Sequence, residues 1–236
     1  MIKYYEAYRP PGREPLPRAI MDESTRNLII GSIVLVLAAM YGGDTLGSWY
    51  SFNGESQSTE DPSGYEMSMN FVLEEVEMET KVTSADGSTD KNSESVDYDD
   101  NDCDCDEIED LMLGKIKNLL YIVILAGFAT LYFMSQGANE EMAANACLVM
   151  GGAALLSTAM FALSFPEAFD DDMEMFEDMR CDFDDDGEDP SFYGSEDCKN
   201  DSETIESEWS WRPGLAWVLV LLSGIMGMAA YADVKR

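Results

Sequence analysis

Apolar and polar positions are sorted along this chain into long blocks. Four blocks, at 27–47, 115–134, 142–165 and 213–232, are nearly all apolar and carry no charge in their central turns. About 20 such residues is the length a helix needs to cross the ~30 Å hydrocarbon layer of a bilayer. The pattern predicts four membrane-spanning helices packed as a bundle. Asp44 stands near one end of the first block, and Lys115 and Lys117 flank the second, where long stems reach toward headgroups. The first block exceeds the 7–15-residue core of a cleavable signal, so it is read as a span. Met21 is an alternative start to Met1, and residues 1–26 are read as a tail.

Between the blocks the period changes. Tyr65, Met67, Met69, Phe71 and Leu73 alternate with mostly polar neighbours, a strand pattern. After Glu74-Glu75 the phase shifts to Val76, Met78, Thr80 and Val82, which predicts a bulge or a bend into a second strand. Residues 48–52 predict a strand leaving the first span. Asn53-Gly54 and Asp86-Gly87 are turn signals. Residues 84–106 read as a solvated, mobile acidic stretch. A helix is expected from Asp106, with acids at its positive N-terminal end, running into the second span. In 166–212, Phe169, Met173 and Phe176 at helical spacing predict a short helix over 167–179. Ile205, Ser207, Trp209 and Trp211 alternate ahead of Pro213, predicting a strand that joins the sheet of the first loop. The expected class is an α-helical membrane protein: a four-transmembrane-helix bundle with a small β-containing extracellular domain.

Charge sets the orientation. Lys3, Arg9, Arg13, Arg18 and Arg26 precede the first span and Lys235-Arg236 end the chain, whereas the connector 135–141 has neither Lys nor Arg. An even number of spans puts both termini on one side, and basic flanks make that side the cytoplasm, leaving 233–236 inside and both long loops outside. Trp49, Trp209, Trp211 and Trp217 all fall at the outer ends, as interfacial aromatics do.

Composition then narrows function. Of 47 acidic residues, 20 lie in 48–114 and 19 in 166–212, and the net charge is −33. Nucleic acid is excluded as a partner, because its binders need a basic footprint. Cations, basic partners or salty water are favoured. There is no histidine, which removes the commonest general base and metal ligand. No ionisable group is placed inside a span for a proton relay or coupled transport. The chain is read as non-enzymatic.

Small residues recur four apart: Ala39, Gly43 and Gly47; Ala154, Thr158 and Ala162; Ser223 and Gly227. They predict close helix packing, either within the bundle or between copies. Thr130, Asn145, Ser157 and Ser223 are expected to hydrogen-bond between helices.

Cys103, Cys105, Cys181 and Cys198 lie in the outer loops, and an even count outside the cell reads as two disulfides. Cys103 and Cys105 are too close to pair with each other without strain, so each is expected to bond into the second loop. A thiolate metal site at Asp102–Asp106 is the competing reading. Cys147 is read as a packing residue in the third span. Asp182, Asp184 and Asp186, followed by Gly187 and Glu188, match the opening of a calcium loop, with Gly187 giving the sharp turn. The twelfth position is Tyr193 instead of a bidentate Glu. Calcium is the single candidate cofactor. Asn200-Asp-Ser202 is a glycosylation sequon on the outer side.

This layout of inside termini, a strand-bearing first outer loop, a tiny inner loop and a second outer loop resembles the claudin and tetraspanin-like four-span proteins. Trp49 stands where claudins have a tryptophan, but no Gly-Leu-Trp or Cys-Cys-Gly element is present. The chain is also similar to acidic four-span proteins of halophilic or marine archaea. The resemblance covers topology and implies no activity and no site residues. Three functions are expected in descending order. The first is a surface protein presenting a disulfide-tied outer domain to a protein or envelope partner, or to a second copy of itself. The second is a calcium-binding sensor through Asp182, Asp184, Asp186 and Glu188, and the third is an oligomeric cation channel.

Overall fold

A computed structural model describes residues 23–99, 105–136, 140–172, 192–199 and 205–235. In chain order the elements are α1 (Glu23–Tyr41), a single turn α2 (Gly43–Leu46), β1 (Tyr50–Ser58), β2 (Gly64–Phe71), β3 (Glu75–Thr83) and β4 (Thr89–Asp97). Then come α3 (Asp106–Glu109), a π-helical segment (Asp110–Ile116), α4 (Lys117–Gln136), α5 (Glu140–Asp172), β5 (Gly194–Lys199), β6 (Ile205–Pro213) and α6 (Leu215–Val234). Four helical runs, with α3 to α4 counted as one, are long and apolar enough to cross a membrane. Each packs on two others in a closed ring, α1–α6–α5–α4.

Small residues bring these helices together within one chain. A Cβ on Gly227 would lie 2.7 Å from the Gly151 backbone, and one on Gly224 would lie 2.8 Å from Leu155. Ser223 is therefore buried in the bundle, where its hydroxyl meets that of Ser32 at 2.7 Å across α1 and α6. The expectation of one small-residue face through Ala39, Gly43 and Gly47 is corrected. The helix ends at Tyr41, and Gly43 takes φ +61, a left-handed conformation open to glycine. Thr130 and Ser157 donate backwards to carbonyls of their own helices, those of Ala126 and Ala154, and Thr130 also accepts from Cys147 of α5 at 3.9 Å, across the helix pair. Asn145 is exposed.

The six strands form one antiparallel sheet in the order β4-β3-β2-β1-β6-β5. β1 continues from α1 and β6 leads into α6, and the two strands pair along their length. The Trp49 and Ser48 carbonyls accept from Gly214 N–H at 2.7 Å and Ala216 N–H at 2.8 Å, so the pairing persists to the start of α6. The phase shift after Glu74-Glu75 is a tight turn between β2 and β3, closed by Val72 N–H on the Glu75 carbonyl at 3.0 Å. Asn53-Gly54 is not a turn; it lies within β1. Gly54 is opposite Trp209, and a Cβ there would sit 1.9 Å from the indole ring. Glycine makes room for the ring, one of the ways a strand tolerates it.

Residues 84–106 also differ from expectation, since β4 occupies 89–97 and pairs fully with β3. The Asp86-Gly87 turn, with Gly87 at φ +81 and Ser88 N–H on Asp86 at 2.9 Å, folds the strand back. Tyr98 then anchors its end: the ring is buried, its hydroxyl donates to the Val72 carbonyl at 2.8 Å, and its N–H to Glu74 at 3.1 Å.

One face of the sheet is covered by the helix ends. Tyr50, Phe52, Met67, Met69, Phe71, Val76 and Trp209 are buried there. They meet Phe161, Phe165 and Phe169, which recur every four residues on α5. Tyr50 packs tilted against Phe165 at 4.6 Å between centroids, and Phe71 meets the same ring edge-on at 5.2 Å. This ladder explains why α5 runs through Pro166 to Asp172 instead of stopping at 165 before a separate helix. Each buried phenylalanine contributes roughly 1.5–3 kcal/mol, enough to offset a proline's lost hydrogen bond. Met173 and Phe176 lie outside the described residues.

Candidate interaction surface

The opposite face of the sheet is not covered by any described element, and its composition follows from the strand period. Side chains alternate across the pleat, so the positions between the buried ones point away from the bundle. On β1 these are Ser51, Asn53 and Glu55; on β2 Glu66, Ser68 and Asn70; on β6 Glu208, Ser210 and Arg212. Register aligns them into rows. Ser210, Asn53, Ser68 and Glu79 form one, and Glu208, Glu55, Glu66 and Lys81 the next. The β5 pairing sets Asp197 beside Glu208.

These rows line a trough of about 270 Å³ bounded by Asn53, Glu55, Glu66, Ser68, Glu79, Lys81, Glu208 and Ser210. Its neutral groups largely satisfy one another. Ser68 donates to Asn53 at 2.9 Å and, one row on, Ser51 donates to Asn70 at 2.8 Å. Glu66 pairs with Lys81, and Glu79 with Lys91 at 2.7 Å. Glu55 and Glu208 have no cationic partner among the described residues. Directly opposed like charges disfavour a strand pair, yet Glu55 and Glu208 stand opposite each other on this face.

Acidic side chains elsewhere have structural duties. Asp61 and Asp86 cap the turns after β1 and β3, and bonds from Ser63 and Ser88 hold their carboxyls below the usual range. Asp172, at the end of α5, accepts from Glu107 N–H at 3.2 Å and Ile108 N–H at 2.7 Å, capping the helical run that leads to α4. Lys117 reaches Glu74 in the β2–β3 turn at 2.7 Å.

The residues singled out from sequence are placed as follows. Asp182, Asp184, Asp186, Glu188, Cys103, Cys181 and the sequon at 200–202 lie outside the described residues. Among the described residues, no three acidic, cysteine or histidine side chains are grouped to hold a metal. Cys198 is in β5. Cys105 is buried beside α3 and is not a free thiol, but no cysteine pair is found among the described residues. Cys147 is free and buried in α5, where burial pairs it at 3.9 Å with the Thr130 hydroxyl. Two of the four tryptophans are not interfacial. Trp49 and Trp209 are enclosed between sheet and bundle, and their indole N–H groups have no partner among the described residues. Trp217 donates to the Thr158 carbonyl at 3.0 Å. The carboxylate row was not foreseen: alternation marks each glutamate as outward, but only register brings them abreast.

No protein-family model matches this chain, and no curated protein matches it.

Proposed function

We propose that this chain is an integral membrane protein of the cell membrane, with four spans, cytoplasmic termini and no catalytic role. On this reading it holds the six-stranded sheet outside the cell as a rigid platform for contact with a protein or envelope partner. The observation that carries the reading is the aromatic core shared by sheet and bundle: Phe161, Phe165 and Phe169 are all buried, and their rings meet those of Tyr50, Phe52 and Phe71 on β1 and β2. A sheet fixed in this way presents its outward face, on which no described element lies, at constant height and tilt.

Further features support membrane insertion. Leu125, Phe128, Leu156 and Leu163 point outward from the helices, with Leu163 79% exposed, an arrangement suited to lipid and not to water. Tyr41 and Tyr121 are exposed toward the sheet end and Tyr132 toward the other, as at the two edges of a bilayer. Lys115 and Lys117 lie at the sheet end, whereas Arg26, near the start of α1, and Lys235, after α6, lie at the opposite end. The proposal includes a disulfide from Cys105 into the second loop, which non-reducing peptide mapping would locate.

The test is crosslinking in intact membranes followed by mild extraction. The platform reading expects a discrete crosslinked species whose yield falls when bulky residues are introduced on the outward face, as in Ser210→Trp. Recovery of the monomer alone contradicts it.

A further inference from the structure

We infer that the outward face of α5 is the contact between two copies of this chain, paired side by side in the membrane; this rests on the four-span reading and adds a homodimer to it. The face is set by the sequence of α5. Asn145, Val149, Gly152, Leu156, Ala159 and Leu163 follow one another at steps of four and three residues, and all are exposed. That spacing keeps them on one side of the helix. From Asn145 to Leu163 they cover about 27 Å, most of the ~30 Å hydrocarbon layer. Phe161 and Phe165, about 200° around the helix from Leu163, hold the sheet on the opposite side.

Two observations favour a protein over fluid lipid as the cover of this face. The first is its shape. Large Val149, Leu156 and Leu163 alternate with small Gly152 and Ala159, and a Cβ on Gly152 would meet nothing within 4 Å. In the middle of the other spans the outward residues are large: Val34 and Leu37 on α1, Leu125 and Phe128 on α4, Leu222 and Ile225 on α6. Small residues let a second backbone come close, and in lipid that packing is a main source of helix association. The second is Asn145. Its amide is exposed within the apolar block 142–165 and makes no hydrogen bond among the described residues. A polar group facing hydrocarbon costs free energy until it finds a partner.

These features fit an identical copy. Two chains inserted with the same topology and related by a two-fold axis along the membrane normal place the same patch on both subunits. Their α5 helices then run parallel, and each residue lies at the depth of its counterpart. An amide both donates and accepts, so Asn145 is complementary to its own counterpart. Gly152 and Ala159 meet theirs where the backbones must approach. The face carries no charge between Asn145 and Leu163, so like charges do not oppose the pairing. Val149 and Leu156 are half exposed and Leu163 four-fifths. With the smaller residues between them the face offers on the order of 500 Å² per copy, about 1,000 Å² in a pair, where specific interfaces begin.

The experiment uses the full chain in phosphatidylcholine liposomes with Leu156→Cys, oxidised by copper phenanthroline. Leu125→Cys on α4 and Leu222→Cys on α6 are the outward controls, and the wild type gives the background from native cysteines. The inference expects disulfide-linked dimer from Leu156→Cys at about fivefold or more above both controls. Adding Asn145→Leu is expected to weaken dimerisation, read from yield against protein-to-lipid ratio, by about 3- to 20-fold, the range of one interhelical hydrogen bond. Adding Gly152→Phe, whose ring enters open space in the single chain, is expected to abolish the crosslink, whereas Gly152→Ala, still small, keeps it. A Leu156→Cys yield no higher than the controls overturns the inference, and so does a yield that Asn145→Leu or Gly152→Phe leaves unchanged. Ser210→Trp, on the sheet, is expected to leave this dimer intact, so a partner of the sheet is scored separately. Alkaline carbonate extraction of cell membranes separates the two claims. If the chain stays in the membrane and no dimer forms, the four-span reading stands and the dimer falls; if the chain is released, the four-span reading itself falls.

Discussion

At the scale of the residue, two glycines that look alike in sequence have opposite surroundings. A methyl group on Gly54 would overlap the Trp209 ring, whereas one on Gly152 would meet nothing within 4 Å. Gly54→Ala is expected to lose about 1–3 kcal/mol through overpacking. Gly152→Ala, in the middle of α5, is expected to be neutral or to gain up to about 1 kcal/mol. Thermal unfolding in detergent followed by tryptophan fluorescence compares them. Tyr98 supplies a pH test. Burial, and then the charges of Glu75 and Glu77, push its phenol well above the ordinary tyrosine range. The folded chain keeps this proton where the unfolded chain releases it, so the contribution of Tyr98 to stability is constant below pH ~10 and declines above it. Tyr98→Phe is expected to flatten that alkaline decline while losing about 1 kcal/mol at neutral pH with the Val72 hydrogen bond. A decline of equal slope in the variant would contradict the assignment.

At the scale of the element, Asp172 and the π-helical segment show how distant parts of the chain are fitted together. Two N–H groups at the start of the helical run from Asp106 are satisfied by a carboxylate 64 and 65 residues away. Asp172→Ala is expected to cost about 1–2 kcal/mol, as for loss of an N-cap, and Asp172→Asn less. Amide hydrogen exchange at Glu107 and Ile108 is the measurement, with faster exchange confined to that end. At the π segment the Asn118 side chain donates to the Gly114 carbonyl at 2.6 Å, and Asp110 pairs with Lys115 at 2.7 Å. Nothing in the sequence signals that register change. Strands β2, β3 and β6 were legible because Met67, Met69 and Phe71, like Trp209 and Trp211, alternate against a buried face. β4 was not: it is an edge strand, exposed at most positions, whose only apolar residue within 89–97 is Val96. Its charges, Asp90, Lys91, Glu94 and Asp97, suit an edge that must not pair with another sheet. The helix through Pro166 was likewise hidden, because its support comes from β1 and β2, over ninety residues earlier in the chain.

At the scale of the whole molecule, bundle and sheet present surfaces of different chemistry. The bundle faces outward with leucine and phenylalanine, and the sheet with serine, asparagine and glutamate. Phe165 joins them, touching the rings of Tyr50, Phe71, Phe161 and Phe169. Phe165→Ala is expected to cost about 3–5 kcal/mol and to loosen the sheet before the helices. Limited proteolysis would then cut between β1 and β4 while far-UV helix signal persists. The central claim is that the sheet lies beyond the membrane, with the α4–α5 connection inside. Ser93 on β4 and Ser135 at the end of α4 are both exposed, at opposite ends of the molecule. Ser93→Cys and Ser135→Cys, treated on intact cells with a membrane-impermeant maleimide and compared with the wild-type background, test that claim most directly. The account predicts labelling of Ser93→Cys at once and of Ser135→Cys only after the membrane is opened. The reverse order, or equal labelling of both in sealed cells, would contradict it.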